Sequence, residues 1–173
     1  MPKLPETSIQ RYLKVSRTDN SGYWLDAYGW IACYFAQLEG LSYSLIHALV
    51  TNGDKLKFSK LPFQARTEEA KHLVCEYLNT RGDLELAIEW GKFLDEDKAT
   101  AFMRNRILHN PLTINLALGE SLDDNDVGII LIHESDQPIL KLGAVQEFSN
   151  YMLDLNLRMH ELLMRSGLTS KPP

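Results

Sequence analysis

The feature that most constrains this fold is an apolar stripe that runs through residues 23–50 at helical spacing. Its members recur mostly at alternating steps of four and three residues, as Trp24, Tyr28, Ile31, Phe35, Leu38, Leu45 and Leu49. That period places the large apolar side chains on one face of a helix. The sequence therefore predicts a long helix over 23–50, ended by the glycine in the polar segment 51–54 and followed by a polar loop through Pro62.

Further helices are predicted on both sides of a break at Arg81-Gly82-Asp83. Thr67 is a suitable N-cap for the helix before the break, because two glutamates follow it in the first turn. After the break, apolar periodicity predicts a helix over 84–94. The acidic cluster 95–97 is suited to opening another helix that runs to about His109, and the alternative is that the two form one bent helix.

The period changes from helical to alternating after Pro111. Proline disfavours helical dihedrals at the preceding residue, so the helix should end at or just before Asn110. Apolar and polar residues then alternate over 112–118, and β-branched or apolar runs follow at 127–133 and 139–142. These segments predict a small antiparallel β-meander inserted before the last helix.

The last helix is predicted over 144–165, from an apolar repeat that ends before Gly167. With 173 residues, of which 45% are hydrophobic, the chain suits one domain with its own core. We therefore expect a mainly α-helical bundle over 23–167, with the meander at about 112–142. Residues 1–22 are expected to form an irregular arm, and residues 168–173 a tail.

Charge and composition exclude several classes of function. The formal net charge is −5, so no global basic field favours strong non-specific binding of nucleic acid. Cys33 and Cys75 lie in apolar-periodic stretches and are interpreted as small core residues rather than a disulfide. The most apolar stretch, 27–38, is too short to span a bilayer, and residues 1–10 lack a signal-peptide pattern. We expect a cytoplasmic protein without membrane contact.

The candidate site is the segment Arg104-Asn105-Arg106-Ile107-Leu108-His109 at a helix end. At 100° per residue, Asn105 and His109 lie about 40° apart on one face, whereas Arg104 lies about 140° from His109. A guanidinium binds phosphate, and an imidazole transfers protons near neutral pH. Arg106 and Asn110 are further candidates for substrate contacts.

These residues resemble the mark of the HEPN superfamily (higher eukaryotes and prokaryotes nucleotide-binding): Arg, a polar residue that is often Asn, several variable positions, then His. Such domains are helical bundles that usually dimerise and pair two motifs across the interface, and many are metal-independent ribonucleases. The resemblance implies that Arg104 holds the scissile phosphate, that His109 transfers protons for attack by the RNA 2′-hydroxyl, and that Asn105 orients the two. It also implies a homodimer that acts on RNA or a nucleotide, in a toxin or defence role that an antitoxin or other regulator would control.

The alternative is a non-catalytic helical module that binds a protein partner or a nucleotide. In that case Arg104 is a surface charge, and His109 is a capping residue favoured by the helix dipole. No cofactor is expected. Glu69 and His72 have the Glu-x-x-His spacing of di-iron bundles, but the chain lacks a second such motif, so no metal site is expected either.

Overall fold

The computed structural model describes residues 19–50, 55–109, 112–114, 127–129 and 142–168. They form the helices α1 (Asp19–Leu49), α2 (Lys55–Ser59), α3 (Phe63–Thr80), α4 (Leu84–Leu108) and α5 (Leu142–Ser166), and the strands β1 (Leu112–Ile114) and β2 (Val127–Ile129). The predicted mainly α-helical bundle is confirmed. None of the described helices is long and apolar enough to cross a membrane.

The four long helices surround two apolar clusters. α1 packs against α3 and α5, and α3 packs against α4. The larger cluster joins all four helices and includes Leu38, Leu45, Val74, Leu78, Trp90, Phe93, Met152 and Leu155. The smaller cluster joins α1, the last turns of α4 and the start of α5, through Trp24, Ala27, Ile31, Ile107, Leu142 and Val145. The candidate motif therefore lies beside the smaller cluster.

The start of α3 differs from the prediction. The helix begins at Phe63, with Pro62 as its N-cap, and Thr67 is buried one turn inside it. The added turn is favoured because the Phe63 ring packs 4.9 Å from the ring of Phe35 and because the Arg66 N–H donates to the Pro62 carbonyl at 2.9 Å. The apolar contact outweighs the preference of threonine for a cap position.

The break between α3 and α4 is confirmed. Gly82 has a φ of +81°, which a residue without a side chain adopts at little cost. The Asp83 N–H donates to the Leu78 carbonyl at 3.0 Å and closes the turn. Past the break, 84–108 is one helix, so the acidic cluster 95–97 opens no new helix and lies in the middle of α4.

Several smaller expectations, at single residues or short segments, were also wrong. Cys33 is exposed and not part of the core, although Cys75 is partly buried. Leu168, which was assigned to the tail, packs into the larger cluster. The segment before Pro62 contains the short helix α2 within the region predicted as a loop. Residues 19–22, which were assigned to the irregular arm, belong to α1.

The described residues include the first three positions of each of the first two predicted strands, 112–114 and 127–129. β1 and β2 pair antiparallel, with Thr113 opposite Gly128, as expected for segments joined by a short connection. The described residues show this two-stranded ladder and no three-stranded meander. Leu142 begins α5 instead of ending the third strand predicted over 139–142. Residues 115–126 and 130–141 lie outside the described residues. The same holds for residues 1–18 and 169–173.

Arg66 joins α3 to α1 in the interior. Its side chain is buried, and Nε donates to Ser42 Oγ at 2.9 Å, Nη1 to the Leu61 carbonyl at 2.8 Å and Nη2 to Glu39 Oε1 at 2.8 Å. The guanidinium also lies 3.7 Å from the ring centroid of Tyr43. A buried charge with this many partners fixes the register between two helices.

Replacement of this arginine tests that role. Arg66→Ala should lower the free energy of unfolding by about 2–3 kcal/mol, because Ser42 and the Leu61 carbonyl lose their hydrogen-bond donor. The loss is limited because the partly exposed Glu39 carboxylate can be hydrated instead. Arg165→Ala is the matched control, since Arg165 pairs with Glu89 on the exposed surface. Urea denaturation should show a much larger loss for Arg66→Ala, and equal losses would contradict the assignment.

Candidate functional site at the end of helix α4

The motif residues occupy the last turn of α4, as the proline argument predicts. The helix ends at Leu108, and His109 follows as its C-cap with φ −98° and ψ −3°. The His109 N–H donates to the Asn105 carbonyl at 3.0 Å. This hydrogen bond holds the histidine backbone one turn after Asn105, on the face that the sequence predicts.

Ile107 determines which face of this turn points outward. It is 1% exposed and lies in the smaller cluster between α1 and α5. Because Ile107 is directed inward, Asn105 and His109 are directed toward solvent, and both are exposed. Arg104 and Arg106 are partly buried, and Asn110 lies outside the described residues.

Arg104 packs against α1. Its guanidinium carbon lies 3.7 Å from the ring centroid of Phe35, and its Nε is buried without a hydrogen-bond partner among the described residues. Burial lowers the pKa of Arg104, and the Glu39 carboxylate opposes that change. Arginine stays charged in such surroundings, so the contact holds a cation at a fixed position beside the motif.

Asp97 is an interior carboxyl two helical turns before Arg104. It is 0% exposed, and neither carboxyl oxygen has a hydrogen-bond partner among the described residues. Burial raises the pKa of Asp97 to about 7, and the nearby Glu39 carboxylate adds to the rise. Because it is fully enclosed, Asp97 cannot touch a substrate in this structure.

The structure brings Asn105 and His109 to one exposed face and keeps Arg104 on the α1 side of the helix. Among the described residues, no hydrogen bond or ion pair joins Arg104 to His109. One chain therefore presents the imidazole and the guanidinium on different sides of the helix end. This separation is what the angle of about 140° between the two positions predicts.

Sequence reasoning missed Phe35 and Glu39, which act on Arg104 from α1, and Asp97, which is buried two turns before Arg104 in α4. A signal for Asp97 was present: it lies three residues after Leu94 and four before Ala101, so it falls on the inward face of a continuous helix. The interpretation of 95–97 as a helix start hid that signal. Glu39 directly follows the buried Leu38, and no spacing in the sequence indicates that its carboxylate lies near Arg104.

No family model, curated protein or solved structure matches this chain. The described part of the chain also contains no group of three or more His, Cys, Asp or Glu side chains that could hold a metal ion. The arrangement offers a fixed cation, an exposed imidazole and an exposed amide, which are groups suited to binding phosphate and transferring a proton.

Asp97→Asn tests the charge state of the interior carboxyl. The folded chain binds a proton at Asp97 up to pH of about 7, whereas the unfolded chain releases it near pH 4, so the stability contribution of Asp97 falls between these values as pH rises. Above pH 7, Asp97→Asn should therefore be more stable than the unsubstituted chain by roughly 2–4 kcal/mol.

The measurement is urea denaturation of both chains from pH 4 to pH 8. The difference in unfolding free energy should be small near pH 4 and grow as pH rises. Asp26→Asn, at an exposed position of α1, serves as the control and should show no such growth. A difference that is independent of pH would show that Asp97 is charged in the folded chain.

Proposed function

We propose that this chain is a metal-independent endoribonuclease of the HEPN type that acts as a homodimer. The observation that carries the proposal is the end of α4, where His109 and Asn105 are exposed while Arg104 is held against Phe35. The helical bundle around the motif agrees with the fold that the resemblance implies. The small β-structure before α5 is an addition that only some HEPN domains have.

In the proposed reaction the RNA 2′-hydroxyl attacks the adjacent phosphorus. A new bond from O2′ to phosphorus forms, the bond from phosphorus to O5′ breaks, and the product carries a 2′,3′-cyclic phosphate. His109 accepts the proton of the 2′-hydroxyl, and a proton is returned to the departing O5′. Arg104 stabilises the charge on the phosphoryl oxygens, and Asn105 orients the groups. Arg106 and Asn110 are proposed to contact neighbouring phosphates.

The proposal of a homodimer rests on the separation of the Arg104 guanidinium from the His109 imidazole within one chain. Because Arg104 stays on the α1 side and His109 faces outward, we propose that Arg104 of one chain and His109 of its partner bracket the phosphate. The proposed setting is the cytoplasm, where an antitoxin or another regulatory protein would restrain cleavage of cellular RNA.

The first prediction concerns the substrate and the product. Purified protein should cut single-stranded RNA in the presence of EDTA, leave 2′,3′-cyclic phosphate ends, and spare DNA, which lacks the nucleophile. His109→Ala should lower the rate by roughly 100-fold or more while costing at most about 1–2 kcal/mol of stability. His160→Ala, which removes an exposed histidine of α5, is the matched control and should cut normally.

Either of two results would contradict this function. One is a folded protein that cuts no RNA across a broad panel of sequences and loops. The other is His109→Ala cutting as well as the unsubstituted chain.

A second prediction tests the shared site. Arg104→Ala and His109→Ala should each be inactive alone, but their heterodimer would keep one complete pair, with Arg104 from one chain and His109 from the other. After equal amounts are unfolded and refolded together, half of the dimers should be mixed, so about one quarter of the normal activity should return. A mixture that stays inactive although heterodimers form would show that both groups act within one chain.

The second candidate function is a non-catalytic interaction module. It is favoured by an apolar stripe on the outer face of α5, formed by Leu153, Leu157 and Met164 at spacings of four and seven residues, all of them exposed. Exposed apolar side chains at helical spacing commonly mark a contact surface. The RNA experiment separates the two functions, because a module of this kind leaves RNA intact.

A further inference from the structure

Phe102 is a large aromatic side chain on the same face as the exposed motif residues. It is 58% exposed and precedes Asn105, Arg106 and His109 by three, four and seven residues. These spacings place it on their side of α4, about 10 Å along the helix from His109.

The surroundings of Phe102 leave its ring accessible. The Arg106 guanidinium carbon lies 5.1 Å from the ring centroid. On the other side is a shallow groove between α3 and α4, whose lining includes Gln64, Ala65 and Ala99 together with Phe102. Ala99, one turn away on α4, and Ala65, on α3, are too small to cover the ring, so a flat ligand can reach it.

The two ends of the groove differ in what lies beside them. At the far end, the carboxylates of Glu68 and Asp95 pair with Lys98 and Lys71 at 2.5 and 2.8 Å, which balances their charge. The near end adjoins the motif residues Asn105 and His109, which are exposed. Because the proposed scissile phosphate lies at His109, a base next to that phosphate would lie toward the near end of the groove.

A base suits this position better than a protein surface does. The other large apolar side chains exposed on α4 are Leu84 and Ile88, and Ile88 is about 21 Å from Phe102 along the helix. A protein interface needs a continuous apolar centre, whereas one aromatic ring flanked by a guanidinium is enough to stack a base. The apolar stripe of α5, in contrast, has several exposed apolar side chains along one helix face and suits a protein surface better than a base.

We propose that Phe102, with Arg106 at its edge, stacks one base of single-stranded RNA next to the phosphate that is cleaved at His109. The inference rests on the proposed ribonuclease function and adds the site that holds the nucleotide beside the scissile bond. The base is held through its π-face, so the contact selects single-stranded RNA without selecting a particular base.

The test measures binding of a labelled single-stranded RNA by fluorescence anisotropy, with His109→Ala present in every chain to prevent cleavage. Phe102→Ala should weaken binding roughly 5- to 100-fold, and Phe102→Trp should bind at least as well as the parent chain. Phe102→Leu, which keeps apolar area without a π-face, should bind almost as weakly as Phe102→Ala. Ile88→Ala, 59% exposed on the same helix, is the matched control and should leave binding unchanged.

A second set of RNAs carries a single abasic nucleotide at successive positions. At the stacked position, loss of the base should weaken binding to the parent chain but not to Phe102→Ala, since both changes remove the same contact. The inference fails, and the ribonuclease proposal stands, if the unsubstituted chain cuts RNA while Phe102→Ala binds like Ile88→Ala. It also fails if Phe102→Ala converts a dimer to monomers in sedimentation, because Phe102 would then contact protein. If the unsubstituted chain neither cuts nor binds RNA, both proposals fail together.

Discussion

The Glu39 carboxylate of α1 influences three ionisable groups that lie on two other helices. It accepts a hydrogen bond from Arg66 of α3, attracts Arg104 of α4 and raises the pKa of Asp97 on the same helix. Because the buried Arg66 cation is costly unless it is paired, this carboxylate favours one arrangement of α1 and α3 over shifted alternatives. The position of Arg104 depends on that arrangement.

Two apolar residues fix the position of the end of α4 within this arrangement of helices. Phe35 supports the Arg104 guanidinium from α1, and Ile107 anchors the last turn of α4 between α1 and α5. Neither residue carries chemistry of its own. Together they determine that the guanidinium is on one side of the helix end and that Asn105 and His109 are on the other.

Much of this could be predicted from the sequence, because periodicity is a direct consequence of helix geometry. The stripe of α1, the break at Gly82 and the helix end before Pro111 each follow from local rules, and the structure has all three. The prediction failed where a tertiary contact competes with a local rule. The contact between Phe63 and Phe35 extends α3 past the expected cap at Thr67, and the surrounding helices enclose Asp97, which a local rule assigns to an exposed first turn.

The candidate site divides in the same way. Its outer residues were found because Arg104, Asn105 and His109 form a pattern within one turn of helix. Phe35 and Glu39 were missed because they approach Arg104 only through packing between helices, which no spacing within one segment encodes. Asp97 was missed because 95–97 was interpreted as a helix start, although the segment lies in the middle of α4. The Arg104 guanidinium is packed against the Phe35 ring and attracted by the Glu39 carboxylate, so it would need little rearrangement to bind an anion. The contact with Phe35 holds the guanidinium on the α1 side of the helix end, away from the imidazole of its own chain. The proposed reaction therefore needs two helix ends to approach each other, so that Arg104 of one chain meets His109 of its partner.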